Sequence, residues 1–271
     1  GNTQTLKNSG TIIVDGGTVS FASNNETSRF INTGTLKVQS GSLILGGTFS
    51  FTDLGILNRT GGSITLNGTL NNANTEWILN SPIESWNIAS GKISGGSIKL
   101  LNGAQLIPVS GVTYLESLVL HGDLIVPLNS SISISNVIFN GNLSLVNGKA
   151  ALNVLDRMTL NGTVTLGASA WMTFNAVQSM IDGTGTIIFQ NQNDNAIILP
   201  EANSTFTIGQ GITIRGGSQG SGLIGSITTL GNLYGGNNAS VINYGKILAD
   251  VPGTYIRFTL RGSGTITNFG T

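Results

Sequence analysis

Acid–base, metal and nucleophilic chemistry each need particular side chains, and this sequence is sparing with them. Its 271 residues hold twelve Asp and Glu, twelve Lys and Arg, one His and no Cys. Carbohydrate chemistry on a β-rich scaffold needs paired carboxylates, or a carboxylate beside a base, at matching positions of successive repeats. The acids are Asp15, Glu26, Asp53, Glu76, Glu84, Glu116, Asp123, Asp156, Asp182, Asp194, Glu201 and Asp250, and they show no such shared spacing. His121, in H-G-D, offers an acid–base pair with Asp123. It also stands where neighbouring segments carry Asn, so a polar turn residue is its expected role. One His and no Cys exclude a metal site built on several His ligands or on thiolates.

Binding chemistry has a few more candidates. Q-N-Q-N-D-N (190–195) and I-D-G-T-G-T (181–186) could coordinate Ca²⁺ through Asp194, Asp182 and amide oxygens. Neither matches a known calcium-loop pattern, and solvated loops are expected there. Arg257 and Arg261, in Y-I-R-F-T-L-R, could grip an acidic sugar, but edge charges that discourage sideways aggregation need no ligand. Trp77, Trp86 and Trp171 are potential sugar-stacking platforms. Trp86 and Trp171 sit in alternating runs and should pack inside or at corners, which leaves Trp77, after N-N-A-N-T-E, as the best candidate for exposure. The pairs Thr163/Thr165, Thr205/Thr207 and Thr265/Thr267 suggest an ice-binding face, but their register drifts. The expectation is a chain with no catalytic, cofactor-binding or metal-binding residues.

The elements that would carry such residues are written in the composition. Charged residues are 9% of the chain, against about a quarter in ordinary domains, and Gly, at 39 residues, is about twice its usual share. Equal numbers of acids and bases leave no electrostatic footprint for nucleic acid or an anionic membrane. A mean hydropathy of +0.21 and recurrent Val, Ile, Leu and Thr argue against disorder. No apolar run reaches the ~18 residues of a membrane helix. The opening G-N-T-Q-T has neither an initiator Met nor a signal-peptide pattern, as expected of a mature product or an excised segment.

Period-two alternation over four to six residues recurs along the whole length, as in T-I-I-V (11–14), S-L-I-L (42–45), S-I-S-I (131–134) and T-F-T-I (205–208). Helix signals are nearly missing: A-A-L-N-V-L-D-R-M (150–158) is the best candidate for a turn or two, and its β-rich surroundings argue against it. V-I-F-N-G-N-L-S-L (137–145) looks like a hairpin, since Asn-Gly between alternating runs is the usual hairpin signal. The arrangement repeats too evenly for that. Gly103, Gly122, Gly141, Gly162 and Gly185 each open an alternating run, at separations of 19, 19, 21 and 23 residues. Pro108 and Pro127 are placed at matching corners by the same alignment. A unit of three short strands and about 19–24 residues, stacking on its predecessor, predicts a right-handed parallel β-solenoid in which N-G marks a corner. Residues 1–271 would form one such solenoid of about thirteen coils, a rod on the order of 60 Å long.

N-S-G-T-I (8–12), N-T-G-T-L (32–36), N-Y-G-K-I (243–247) and N-F-G-T (268–271) share the form N-x-G-[TK]-[IL]. Inward asparagines at such corners can stack as hydrogen-bonded ladders. Neither end reads as a polar cap, which is expected of a piece cut from a longer array or of a subunit covered by another.

N-S-G-T-I-I-V-D-G-G-T-V-S-F (8–21), I-N-T-G-T-L-K-V-Q-S-G-S-L-I-L (31–45) and S-W-N-I-A-S-G-K-I-S-G-G-S-I (85–98) resemble repeats of filamentous-haemagglutinin-like and autotransporter-passenger β-helices of bacterial surfaces. The resemblance implies extracellular or cell-surface placement and adhesive or scaffolding work. The expected function is that of a non-enzymatic structural rod that self-associates end to end, with a surface polysaccharide or another cell as partner. A carbohydrate-binding or carbohydrate-cleaving β-helix is the alternative.

Overall fold

In the computed structural model, which describes residues 4–21, 28–145, 148–190, 195–229 and 232–271, the alternating runs become strands of mostly three to five residues, and nearly all of them pair in parallel. Three strands make a coil, and the parallel ladders stack as a β-solenoid of about eleven coils in total. The run at 150–158, the sequence's best candidate for a helical turn, is two strands as its β-rich surroundings favoured, Ala151–Val154 and Arg157–Leu160, with Leu152, Val154, Met158 and Leu160 all turned inward and fully buried. Alternation wins there because each coil needs an apolar face every second residue.

The chain divides into two compact units, Gly1–His121 and Gly122–Thr271. In the first, six strands from Thr5–Asn8 to Val112–Glu116 form one ladder and five from Thr18–Phe21 to Leu106–Ser110 form a second. The third side is split. Thr11–Val14, Thr35–Val38 and Ile56–Arg59 pair with one another, as do Glu76–Leu79, Ser97–Leu100 and Val119–His121, but no ladder joins the two sets. In the second unit all three sides are continuous six-stranded ladders.

Stacking dictates the corner residues. A Cβ on Gly162 would lie 2.0 Å from the carbonyl oxygen of Gly141, and one on Gly141 would lie 2.1 Å from that of Gly122. The N-G pairs therefore mark corners, with the strands before and after them on different ladders. Asparagine supplies six of the ten non-glycine residues with positive φ among the described residues, as expected of backbone that turns left-handed at corners. Pro127 does open a corner turn, accepting the Ser130 N–H at 3.1 Å. Pro108 departs from expectation: it lies inside Leu106–Ser110, an edge strand with a bulge against Ile88–Ala89, where its missing N–H is tolerated.

The interior is a column of aliphatic and phenyl side chains. Phe21 stacks on Phe30 at 4.6 Å, and the Phe174 ring lies 4.1 Å from that of Phe206, tilted by 35°. The coil count falls short of thirteen because late coils lengthen. Ser131 pairs with Ala151, 20 residues on, whereas Thr205 pairs with Ser240, 35 residues on. That longer coil holds an antiparallel hairpin, Ile227–Thr229 with Asn232–Tyr234, the one antiparallel pair among the described residues. The hairpin packs outside the ladder: Ile227 joins buried Ala196 and Ile198, and the Tyr234 ring lies 5.5 Å from that of Trp171.

Candidate functional site

Ten of the ionisable side chains pair as rungs. Lys92 pairs with Glu116, Lys99 with Glu76 at 2.6 Å, Arg157 with Asp182 at 2.8 Å, Arg215 with Asp250 at 2.8 Å and Arg29 with Asp53 at 3.5 Å, each across neighbouring coils. Asp182 also accepts the Thr159 hydroxyl at 2.6 Å, and residues 181–183 lie in the strand Gln178–Gly183 rather than in a solvated loop. Asp194, the other calcium candidate, lies outside the described residues, as does Glu26. Among the described residues no three His, Asp or Glu side chains gather as a metal site would need.

His121 ends the strand Val119–His121 in the position that Lys99 holds one coil earlier, and it is half-buried. Asp123 accepts the backbone N–H of Asn142 at 2.9 Å, a corner bond. The asparagine ladders form as expected. Asn8 donates to Asn32 at 2.7 Å, and Asn243 donates to Asn268 at 2.7 Å. Each also clamps its own corner: the Gly34 N–H donates to Asn32 Oδ1 at 3.1 Å and the Gly245 N–H to Asn243 Oδ1 at 3.0 Å.

The aromatic and threonine candidates do not assemble a sugar platform or a flat two-rank array. Trp77 is buried at 7% exposure and Trp86 at 3%. Trp171 points outward and is covered by the hairpin. Thr163, Thr186 and Thr213 do align in one column, but Thr165 is followed by Ile188 and Arg215 in the next. Arg257 lies over the Tyr255 ring at 4.9 Å and Arg261 donates to the Gly235 carbonyl at 3.0 Å. Only Arg257 belongs to the strand Ile256–Thr259, although both line one cleft beside Leu233.

The arrangement that stands apart lies in the first unit, where the ladder is interrupted. A cavity of about 590 Å³ opens there, between Ile56–Arg59 and Glu76–Leu79. No ladder links these two strands, and few of their Cα atoms approach within 8 Å of one another, where paired strands stand ~4.8 Å apart. Register explains the opening. The inward position held by Val14 and Val38 in two earlier coils is held by Arg59 in the third. Beside it Trp77 packs between Phe51 and Trp86, both 5.0 Å away, so two indoles and a guanidinium occupy space that elsewhere holds aliphatic and phenyl side chains. Phe51 is delivered by a short 3-10 helix, Phe51–Leu54, which bulges from the corner before Ile56.

Arg59 is tied down by three carbonyls. Its Nη1 donates to Ser85 at 2.6 Å, its Nη2 to Gly62 at 2.6 Å and its Nε to Gly61 at 3.2 Å. Burial pulls its pKa below the usual arginine value. It has no carboxylate partner among the described residues, nor has Lys37, which also lines the cavity. The arginine was invisible as a site residue because I-L-N-R (56–59) reads as an unremarkable strand end. Only the pairing Val38 to Arg59 shows that it points inward.

Comparison with known proteins returns no matching family model, no curated relative and no similar solved structure.

Proposed function

We propose that this chain is a non-enzymatic structural or adhesive module that works outside the cell, in the manner of the bacterial surface β-helices whose repeats its own resemble. The observation that carries this reading is the use made of polar side chains. Asparagine ladders and coil-to-coil ion pairs brace the solenoid, and the inward positions of the second unit's strands are mainly apolar, with Ser179 and Asn243 as polar exceptions. Parallel ladders bonded along the stack resist local opening, because most strands are held on two sides. Corners and outward positions are left free to vary, which suits a surface that must contact different partners.

Association end to end belongs to the same proposal. Among the described residues Thr5–Asn8 and Ile266–Asn268 are each paired on one side only and present an edge to a further strand. The purified chain should form concentration-dependent filaments in electron micrographs, survive protease treatment, and release no reducing sugar from a polysaccharide panel. Sugar release would overturn the non-enzymatic reading, and a monodisperse monomer at high concentration would overturn the association.

A further inference from the structure

The interrupted ladder leaves two strand edges facing one another across a cavity, and their chemistry can be read from the pairing on their other sides. The N–H of Ile56 goes to Gly34 at 3.0 Å and that of Thr60 to Val38 at 2.9 Å, so even-numbered residues of this strand face the preceding coil. Leu57 and Arg59 therefore turn their N–H and C=O groups toward the opening. Across it, Ser97 donates to Thr75 at 2.9 Å and Leu101 to Leu79 at 2.8 Å, which fixes the odd-numbered carbonyls on the following coil. Glu76 and Ile78 face the opening instead. The next amide, Asn80 N–H, has found a substitute acceptor in the Glu84 carboxylate. An opening flanked in this way has donors and acceptors alternating at strand spacing on both rims. Two ladder spacings, ~9.6 Å, are what one added strand requires.

We propose that this slot receives an extended acidic peptide from a partner protein, bound as an added parallel strand that completes the interrupted ladder. Backbone bonds to Leu57 and Arg59 on one side and to Glu76 and Ile78 on the other supply sequence-independent affinity, as in other strand-addition complexes. Specificity comes from the two inward side chains of the guest. The first falls among Leu57, Phe51 and Trp77 and must be apolar. The second, two residues on, falls beside Arg59 and must be a carboxylate. Three of the five guanidinium N–H groups are already held by carbonyls, leaving one on each Nη for the two oxygens of an Asp or Glu. Outward side chains of the guest lie between exposed Ile56 and Ile78, at 58% and 48% exposure, and near Lys37, which has no carboxylate partner among the described residues. A saccharide acid could meet Arg59 but would not match eight backbone groups spaced for a polypeptide.

The test uses the full chain and the blocked heptapeptide acetyl-Ser-Thr-Leu-Thr-Glu-Thr-Ser-amide, with calorimetry for affinity and amide hydrogen exchange for placement. Binding should fall roughly tenfold when the peptide Glu is replaced by Gln. It should vanish when the Thr between Leu and Glu is replaced by Pro, which removes a backbone donor. The amides of Leu57 and Ile78 should gain protection on binding. Arg59→Val, which restores the residue of the preceding coil, should remain folded and lose the preference for the Glu peptide. No binding at millimolar peptide would overturn the proposal, as would equal affinity for the Glu and Gln peptides. Binding of trigalacturonate, with no peptide response, would reassign the slot to acidic saccharides and overturn it too. Should Arg59→Val fail to fold, the peptide series and the exchange pattern on the unaltered chain decide the matter.

Discussion

The two units respond in opposite ways to departures from the repeat. In the second, 35 residues separate Thr205 from its ladder partner Ser240, and the excess includes a whole antiparallel hairpin, yet the ladder continues unbroken. In the first, Ile56 and Glu76 are separated by 20 residues in sequence, an ordinary coil length, and the ladder breaks. Insertion length is therefore not what a coil resists. Loop closure grows only logarithmically with length, and a hairpin can be accommodated outside the strands. What a coil resists is the wrong side chain pointing inward. A guanidinium in place of Val38's isopropyl group, with Phe51, Trp77 and Trp86 crowded beside it, opens one side of two coils that stay paired on their other two sides.

The sharpest way to break the comparison is to import the first unit's fault into the second. Ile208 is fully buried and paired on both sides, with Ile181 and with Asn243. Ile208→Arg has no cleft to relieve it and should lower the free energy of unfolding in urea by about 4 kcal/mol or more. A loss under about 1 kcal/mol would mean that these solenoids tolerate inward charge anywhere. Asn32→Ala comes next. Asn32 is fully buried, accepts from Asn8 and Gly34 and donates to the Leu54 carbonyl, so its loss strands several partners. A cost of about 2–3 kcal/mol is expected from the same denaturation experiment.

Replacing residues 227–234 by a short Gly-Ser linker should cost less, about 1–2 kcal/mol for the small apolar cluster around Ile227. Trp171 fluorescence should shift to the red as its cover is removed, while the far-ultraviolet β signal of the ladder persists. Smallest of all is Arg59→Val. Removing a half-buried charge and filling its place with an apolar group should change stability by less than about 1 kcal/mol in either direction. A large loss would show that the guanidinium bonds to Gly61, Gly62 and Ser85 hold the opened coils together.

The same contrast explains which parts of this molecule could be read in its sequence. Alternation, corner glycines and the N-x-G asparagines are local patterns repeated in every coil, and each has a direct backbone cause, so the parallel solenoid and its asparagine ladders were legible. Arg59 was not, since an inward arginine is recognised only when its register against Val38 is known, and coil lengths vary too much to fix register by counting. The hairpin was hidden for a related reason: I-T-T and N-L-Y are as good as any solenoid strands, and nothing local distinguishes an antiparallel pair outside the stack from two rungs within it. Trp77 misled because polar neighbours suggested exposure, while its own inward position in Glu76–Leu79 decided burial.

Residue-resolved amide exchange of the free chain tests the central claim most directly. If hydrogen bonds run from coil to coil with a single gap in the first unit, every amide of Thr205–Ile208 should be strongly protected. Asn58, bonded to the preceding coil, should be protected as well, while Leu57 and Ile78 should exchange at rates near those of exposed loops. Equal protection of Leu57, Asn58 and Ile78 would close the gap and contradict the account.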